Sequence, residues 1–306
     1  MGARAATKRA VPAGQRGAAG FEPTDWLCLV YHGALFLVLA TAGPAGRLAE
    51  WRFWALGHLA TVVAIVALVL RRPSRGPLAL LRRWYPVLSL LWLYGEVGAL
   101  RHLVVAADLD PWVARLDATI FGGAPHLALP RLLPAAGLEA LHGIYASYYL
   151  LLFLPGLLAG AREERSVRRY IAVLNATMLA HYVVGMLLPV SGPVALRAQV
   201  IPAGSFFIPI MDRLYGLFDR GGMALPSTHV VASILAAAFA ARWFPRGRWF
   251  FSLLATAIAF STVACCYHYT LDVVAGVATG FAALALERAS VGKPASARSR
   301  PRRVGG

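Results

Sequence analysis

The 306-residue chain is short of charge: only 14% of its residues are Asp, Glu, Lys or Arg. Soluble domains carry about 25%, so a water-exposed globule of this size is excluded. Acidic residues are the scarcer kind, 14 against 30 Lys and Arg, and the formal charge is +16. In a soluble chain that excess would point to nucleic acid. With 58% hydrophobic residues and a mean hydropathy of +0.61 it marks cytoplasmic loops of a membrane protein instead, and no nucleic-acid partner is expected. Cysteine is nearly absent; Cys28, Cys265 and Cys266 make neither a disulfide framework nor a zinc spacing. A metal-dependent hydrolase would find ligands enough in number in two His and one Asp, but no His-Glu-x-x-His or Cys pair supports it, and no metal and no cofactor enters the expected chemistry. The alternating pattern of barrel strands is missing too, which argues against a membrane β-barrel. No internal repeat is visible.

What the chain does have is long apolar runs. A hydrocarbon core roughly 30 Å thick needs about 20 apolar residues in helix. Eight runs qualify or come close: Trp26–Ala42, Phe53–Leu70, Pro86–Ala107, Leu138–Ala159, Tyr170–Val190, Thr228–Phe244, Trp249–Cys265 and Thr270–Leu286. The expected fold class is all-α, a polytopic membrane helical bundle of about eight transmembrane helices. Alternate connections, with both tails, hold 22 of the 30 Lys and Arg; the other set holds seven, and Arg101 lies within the third run. That bias places both termini in the cytoplasm of a multi-pass plasma-membrane protein. Ala40-Thr41-Ala42 resembles a signal-peptidase site, but the long basic region before it favours an uncleaved first helix. The expected organisation is a basic tail over 1–25, a transmembrane catalytic domain over 26–286 and a basic disordered tail over 287–306. The long connections Asp108–Gly137 and Ser191–Ser227 fall outside, and their Pro and Gly suggest interfacial or re-entrant pieces.

Two clusters fall at outer ends of the runs. Gly221-Gly222-Met223-Ala224-Leu225-Pro226-Ser227-Thr228-His229 precedes the sixth run. Ser227 suits an N-cap, and the free amides and positive dipole end of a helix start attract phosphate. For this string alone, an ordinary helix start with an interfacial histidine is an equal reading. The second cluster is Tyr267-His268-Tyr269-Thr270-Leu271-Asp272. Residues four apart share a helix face, so Asp272 can accept Nδ1–H of His268 and leave Nε2 nucleophilic. A lone His-x-x-x-Asp is more often structural; the two clusters on one membrane face point to chemistry.

Pro226-Ser227-Thr228-His229 followed by His268-x-x-x-Asp272 resembles the second and third signatures of the type 2 phosphatidic acid phosphatase superfamily. The sequence most resembles its inositolphosphotransferase-like branch, which is related to inositol phosphorylceramide synthases. Ser261-Thr262-Val263, His268-Tyr269 and Asp272-Val273-Val274-Ala275-Gly276 carry that likeness, with Pro189-x-x-Gly192-Pro193 and Leu116-Asp117-x-x-x-Phe121-Gly122 before them. The resemblance implies a six-helix catalytic core and a metal-independent enzyme acting on a membrane lipid phosphate at the outer face. His268 would attack phosphorus, Asp272 would orient it, and His229 would protonate the leaving alkoxide and then deprotonate the acceptor. Ser227, Thr228 and the amide of Gly222 would hold phosphoryl oxygens. Water as acceptor gives a phosphatase; an alcohol gives a phosphotransferase.

The chain also departs from the family. The first signature is absent, and Thr262 stands where the third has arginine. Arg197, then Arg220, are the candidate substitute cations, though a loop arginine is more often simply solvated. Asp117, His142, Tyr145 and Tyr149 are candidates for a headgroup pocket; the last three share a helical stripe that also suits packing. Glu96, Arg101 and His102 read as a structural polar set, and His181 as a hydrogen-bonded histidine. Without a working phosphate clamp the chain would be a lipid-binding protein, and intramembrane Glu96 and Arg101 would suit a transporter. The sequence does not fix oligomeric state.

Overall fold

The computed structural model describes residues 20–43 and 50–291. Most of the expected tails, including Arg4, Lys8, Arg9 and Arg16, and also Arg47, lie outside the described residues. Among those described, the chain is helical: α1 Pro23–Ala42, α2 Trp51–Arg71, α3 Gly76–Leu100, α4 Asp110–Phe121, α5 Pro125–Leu132, α6 Ala135–Ala159, α7 Glu164–Leu187, α8 Phe207–Phe218, α9 Thr228–Trp243, α10 Arg248–Ala264 and α11 Thr270–Val291. The β structure described is one isolated bridge between Val190 and Met223. Six helices (α1, α2, α6, α7, α10 with the turn before it, and α11) are long and apolar enough to cross a membrane. The sixth expected run forms α9, which is apolar but only 16 residues long. The third forms α3, which carries Arg82, Arg83 and Glu96 and is not among the six.

The apolar-run reading misplaced α3. It starts at Gly76, ten residues before the expected Pro86, and stops at Leu100 rather than Ala107. Arg101 ends it by turning its guanidinium back onto the Gly98 carbonyl, 2.8 Å away, and across to Asp108 at 3.3 Å. Likewise α7 begins at Glu164, six residues before the expected Tyr170. Turns that carry charge, such as Arg82-Arg83 in α3 and residues 164–169 in α7, are helical without being apolar.

The chain forms two compact units, Met1–Pro86 and Val87–Gly306. In the first, α1 and α2 pack on one another. Asp25 joins a capping box with Glu22, and its carboxylate also accepts from Arg82 and the Tyr85 hydroxyl, each at 2.5 Å. The Nδ1 atoms of His32 and His58 approach to 2.8 Å, so one donates and the other accepts.

In the second unit α9 is the centre, packed against α6, α7, α10 and α11. Ala232, Ala236, Ala237 and Ala240 are all buried along it, letting neighbouring backbones approach closely. A helix apolar on every face belongs inside other helices. The long connections hold α4, α5 and α8. Glu139 on α6 fixes α8: its carboxylate accepts from Phe206 N at 3.1 Å and Phe207 N at 2.8 Å, satisfying amides a helix start leaves free.

Candidate active site

The start of α9 and the loop from α10 to α11 are fastened to each other. Ser227 caps α9, its Oγ accepting from Val230 N at 3.4 Å. Its own amide donates to the Asp272 carbonyl, 3.0 Å away. Gly276 lets α11 come this near: a Cβ there would lie 2.8 Å from the Ser227 carbonyl oxygen. At the end of α10, Cys266 adopts left-handed φ of +57°. The Thr262 carbonyl then accepts from both Tyr267 N at 2.9 Å and His268 N at 3.1 Å. That reversal presents His268 at the mouth of α11. Gly192, at φ +78°, closes over the loop, where a Cβ would stand 2.6 Å from the Tyr267 carbonyl.

His268 Nδ1 faces Asp272 Oδ2 at 3.4 Å, and the same oxygen accepts from Tyr269 N at 2.9 Å. Nε2 lies 3.3 Å from Ser227 Oγ. With Nδ1–H directed at the carboxylate, the serine hydroxyl donates to Nε2 while accepting from Val230. This set is self-consistent for a neutral imidazole with Nε2 as its basic nitrogen. His229 faces it from the first turn of α9, the ring centroids 5.7 Å apart. A phosphorus bonded to one ring leaves its outer oxygens within hydrogen-bond reach of the other at that spacing. His229 is buried, and its Nδ1 has no hydrogen-bond partner among the described residues. Tyrosines surround it, with ring centroids at 4.8 Å for Tyr148, 5.0 Å for Tyr145 and 6.4 Å for Tyr94.

One cavity opens on this centre at His229, a second adjoins the first through Tyr215 and Asp219, and His268 lines neither. The smaller, about 250 Å³, is lined by Leu90, Leu152, Leu174 and Met178 and reaches Thr228 and His229. The larger, about 650 Å³, is lined by the loops around Ser191–Arg197 and by Asp212, Tyr215, Asp219 and Gly221. Tyr215 and Asp219 belong to both walls. Asp219 Oδ1 accepts from Gly221 N at 2.8 Å. Burial pushes its pKa up, opposed by that amide, by the neighbouring His268 ring and by the Arg101 guanidinium. Burial also raises the thiols beside the loop, Cys265 to about 12 and Cys266 to about 11, leaving them protonated and unsuited to nucleophilic attack.

The two expected clusters thus meet: Ser227, Thr228, His229, His268 and Asp272 share one place. Arg197 lines the larger cavity but is heavily engaged. It donates to Asp212 Oδ1 at 2.6 Å and to the Cys265 carbonyl, and its guanidinium lies 3.8 Å over the Tyr267 ring. His142 donates from Nδ1 to the Leu138 carbonyl at 2.7 Å, so Nε2 can accept from Arg197 at 3.3 Å. The Arg220 carbonyl accepts from Arg101 at 2.6 Å, and the Gly222 amide donates to Ser191 Oγ at 3.1 Å. Neither Asp117 nor His142 lines either cavity. Asp117 instead accepts from Leu271 N at 2.8 Å, capping α11 beside the His268 loop. Tyr149 lines the apolar cavity, and the Tyr145 hydroxyl pairs with that of Tyr215. His181 bonds the Thr177 carbonyl and Thr279, as its structural reading anticipated. The sequence reading did not single out Tyr94, Tyr148, Tyr215 or Asp219. Only the i to i+3 spacing of Tyr145 and Tyr148 offered a signal.

A family model described as the PAP2 superfamily matches residues 111–286, more than half the chain. The chain belongs to the PAP2 superfamily. No curated protein and no solved structure gives a match. Membership makes this a membrane-associated enzyme of the phosphatase or phosphotransferase type, acting on a phosphate ester. The match runs from α4 through most of α11, and α1 to α3 lie outside it.

Proposed function

We propose that this PAP2 superfamily member cleaves or transfers the phosphoryl or phospho-headgroup of a lipid phosphate ester through a phosphohistidine on His268. The observation that carries this reading is the 5.7 Å spacing of the His268 and His229 rings, with Asp272 behind the first. Ser227 releases Nε2, which attacks phosphorus. The N–P bond forms, the P–O bond to the lipid alcohol breaks, and His229 gives its proton to the leaving oxygen. Asp272 neutralises the imidazolium that results. An acceptor hydroxyl, from water or an alcohol, then attacks phosphorus, returns its proton to His229 and expels neutral His268. The free amides at the start of α9 face the charge that develops on phosphoryl oxygen. No step calls for a metal.

The apolar cavity favours a lipid: His229, the proton donor, lines the same walls as Leu90, Leu152 and Met178, so the leaving oxygen's hydrocarbon has a place beside its acid. The distribution of Lys and Arg supports an outward-facing site with cytoplasmic termini. The test is brief incubation of purified protein with phosphatidic acid labelled at phosphorus, then an alkaline quench. A base-stable, acid-labile label on wild type and none on His268→Ala is the expected result. Full turnover by His268→Ala contradicts it.

A further inference from the structure

The proposed chemistry needs the His268 imidazole and the Asp272 carboxylate in register, yet different elements carry them. The His268 amide is held by the Thr262 carbonyl near the end of α10, whereas Asp272 rides on the first turn of α11. Their contact, 3.4 Å from Nδ1 to Oδ2, is long for a hydrogen bond, so a small shift of α11 breaks it. The local sequence does little to hold that turn. A helix start leaves its first amides free, and Tyr269, just before it, is not a capping residue. Thr270 Oγ1 has no partner among the described residues. The Leu271 amide, next to Asp272, is met from α4 instead: it donates to Oδ1 of the fully buried Asp117 at 2.8 Å.

The face of α4 that carries Asp117 is built around the His268 loop. Asp110, Val113 and Asp117, at i, i+3 and i+7, lie along one side of the helix. Val113 shares a buried apolar cluster with Tyr269, and Leu271 packs against it. Asp110 accepts from the amides of Ser191 and Gly192, each at 2.8 Å, and Gly192 is the residue that closes over the Tyr267 carbonyl. Leu109 N adds a bond to the Pro189 carbonyl at 2.7 Å. One short helix thus grips both the first turn of α11 and the segment lying over the His268 loop.

We propose that Asp117 is a positioning residue for the His268–Asp272 pair, acting through the Leu271 amide to hold the first turn of α11 against the His268 loop. The inference rests on the phosphohistidine reading and adds to it the device that keeps nucleophile and carboxylate aligned. In this role Asp117 exchanges no proton and binds no substrate atom. Only Oδ1 is used: Oδ2 has no hydrogen-bond partner among the described residues and faces His126 Nδ1 at 3.7 Å. One acceptor oxygen suffices, and an asparagine carboxamide supplies it.

The experiment mixes the purified full chain in detergent with saturating phosphatidic acid labelled at phosphorus and quenches it in alkali at short intervals. The time course gives the first-order constant for label appearing on the protein. That constant does not depend on how many molecules are active, so a variant that is only less stable keeps the wild-type value. Asp117→Ala should lower it about 10–100-fold, the scale of a small misplacement in an aligned site. Asp117→Asn, which keeps an acceptor for Leu271 N, should stay within about 3-fold of wild type. A wild-type constant in Asp117→Ala overturns the proposal. So does an Asp117→Asn as slow as Asp117→Ala, since the bond to Leu271 would then not be what matters. If Asp117→Ala does not fold, Asp117→Leu, similar in shape but without an acceptor, carries the same test with the same outcomes. A wild type that forms no label brings down the phosphohistidine reading itself, an outcome distinct from a labelled enzyme indifferent to Asp117.

Discussion

In Met1–Pro86 the buried carboxylate of Asp25 has both oxygens engaged, by Tyr85 on one and by Arg82 and the Glu22 amide on the other. In Val87–Gly306 the carboxylate of Asp272 is as deeply buried, yet only Oδ2 is engaged and Oδ1 has no partner among the described residues. The same holds for His229 Nδ1 and the Tyr267 hydroxyl. A buried polar atom without a partner costs roughly 1–3 kcal/mol. Selection for stability alone would remove three such atoms from one neighbourhood. A paired buried charge holds a fold together, whereas unpaired polar atoms around two facing imidazoles are what the proposed reaction centre would keep for its substrate.

That contrast is open to attack by mutation. The largest effect falls on the proposed nucleophile: His268→Ala should lower turnover of a lipid phosphate about 10⁴-fold or more, because the whole two-step route is lost. Residual turnover within 10-fold of wild type, a drop of only about 1.4 kcal/mol, would remove His268 from the chemistry. Asp25→Ala should act on stability instead. Leaving the part-buried Arg82 and the Tyr85 hydroxyl without their acceptor costs about 2–3 kcal/mol, visible as a lower unfolding midpoint in detergent; a loss below about 1 kcal/mol would erase the distinction drawn above. His229→Ala should slow both half-reactions by about 10²–10⁴, most with poor leaving groups, and should leave the unfolding midpoint nearly where it was. A midpoint shift as large as that of Asp25→Ala would make His229 a packing residue. The smallest effect is Gly276→Ala, whose methyl would meet the Ser227 carbonyl at 2.8 Å. Pushing α9 from α11 should cost about 1–3 kcal/mol of stability and lower the rate more than a comparable clash elsewhere on α11.

Much of this was legible in the sequence, for physical reasons that differ by element. Continuous apolar runs located α1, α2, α6, α9, α10 and α11, because lipid demands apolar surface and leaves few alternatives to helix. The same criterion mis-set α3 and the start of α7, where Arg82 and Arg83 or Glu164 to Arg169 form helical turns that are not apolar. The meeting of His268 and His229 was anticipated because both are tied to helix starts at the same end of their runs. The tyrosine cage was not, since Tyr94, Tyr148, Tyr215 and Tyr267 come from separate stretches and a single tyrosine carries no signal of its neighbours. Asp117 was read toward a headgroup and is found capping α11. Its spacing says nothing about a partner at Leu271, 154 positions away. Arg197 was read as a phosphate cation, and only the fold brings Asp212 and the Cys265 carbonyl to it.

The two-step account makes one demand that no single displacement shares. Each in-line attack inverts phosphorus, so attack by His268 followed by attack of the acceptor must return the original configuration. The decisive measurement is transfer from a lipid phosphate made chiral at phosphorus to an alcohol acceptor, with the product's configuration assigned. Retention is predicted; inversion would mean that the acceptor attacks the lipid ester directly, and that His268 is no nucleophile.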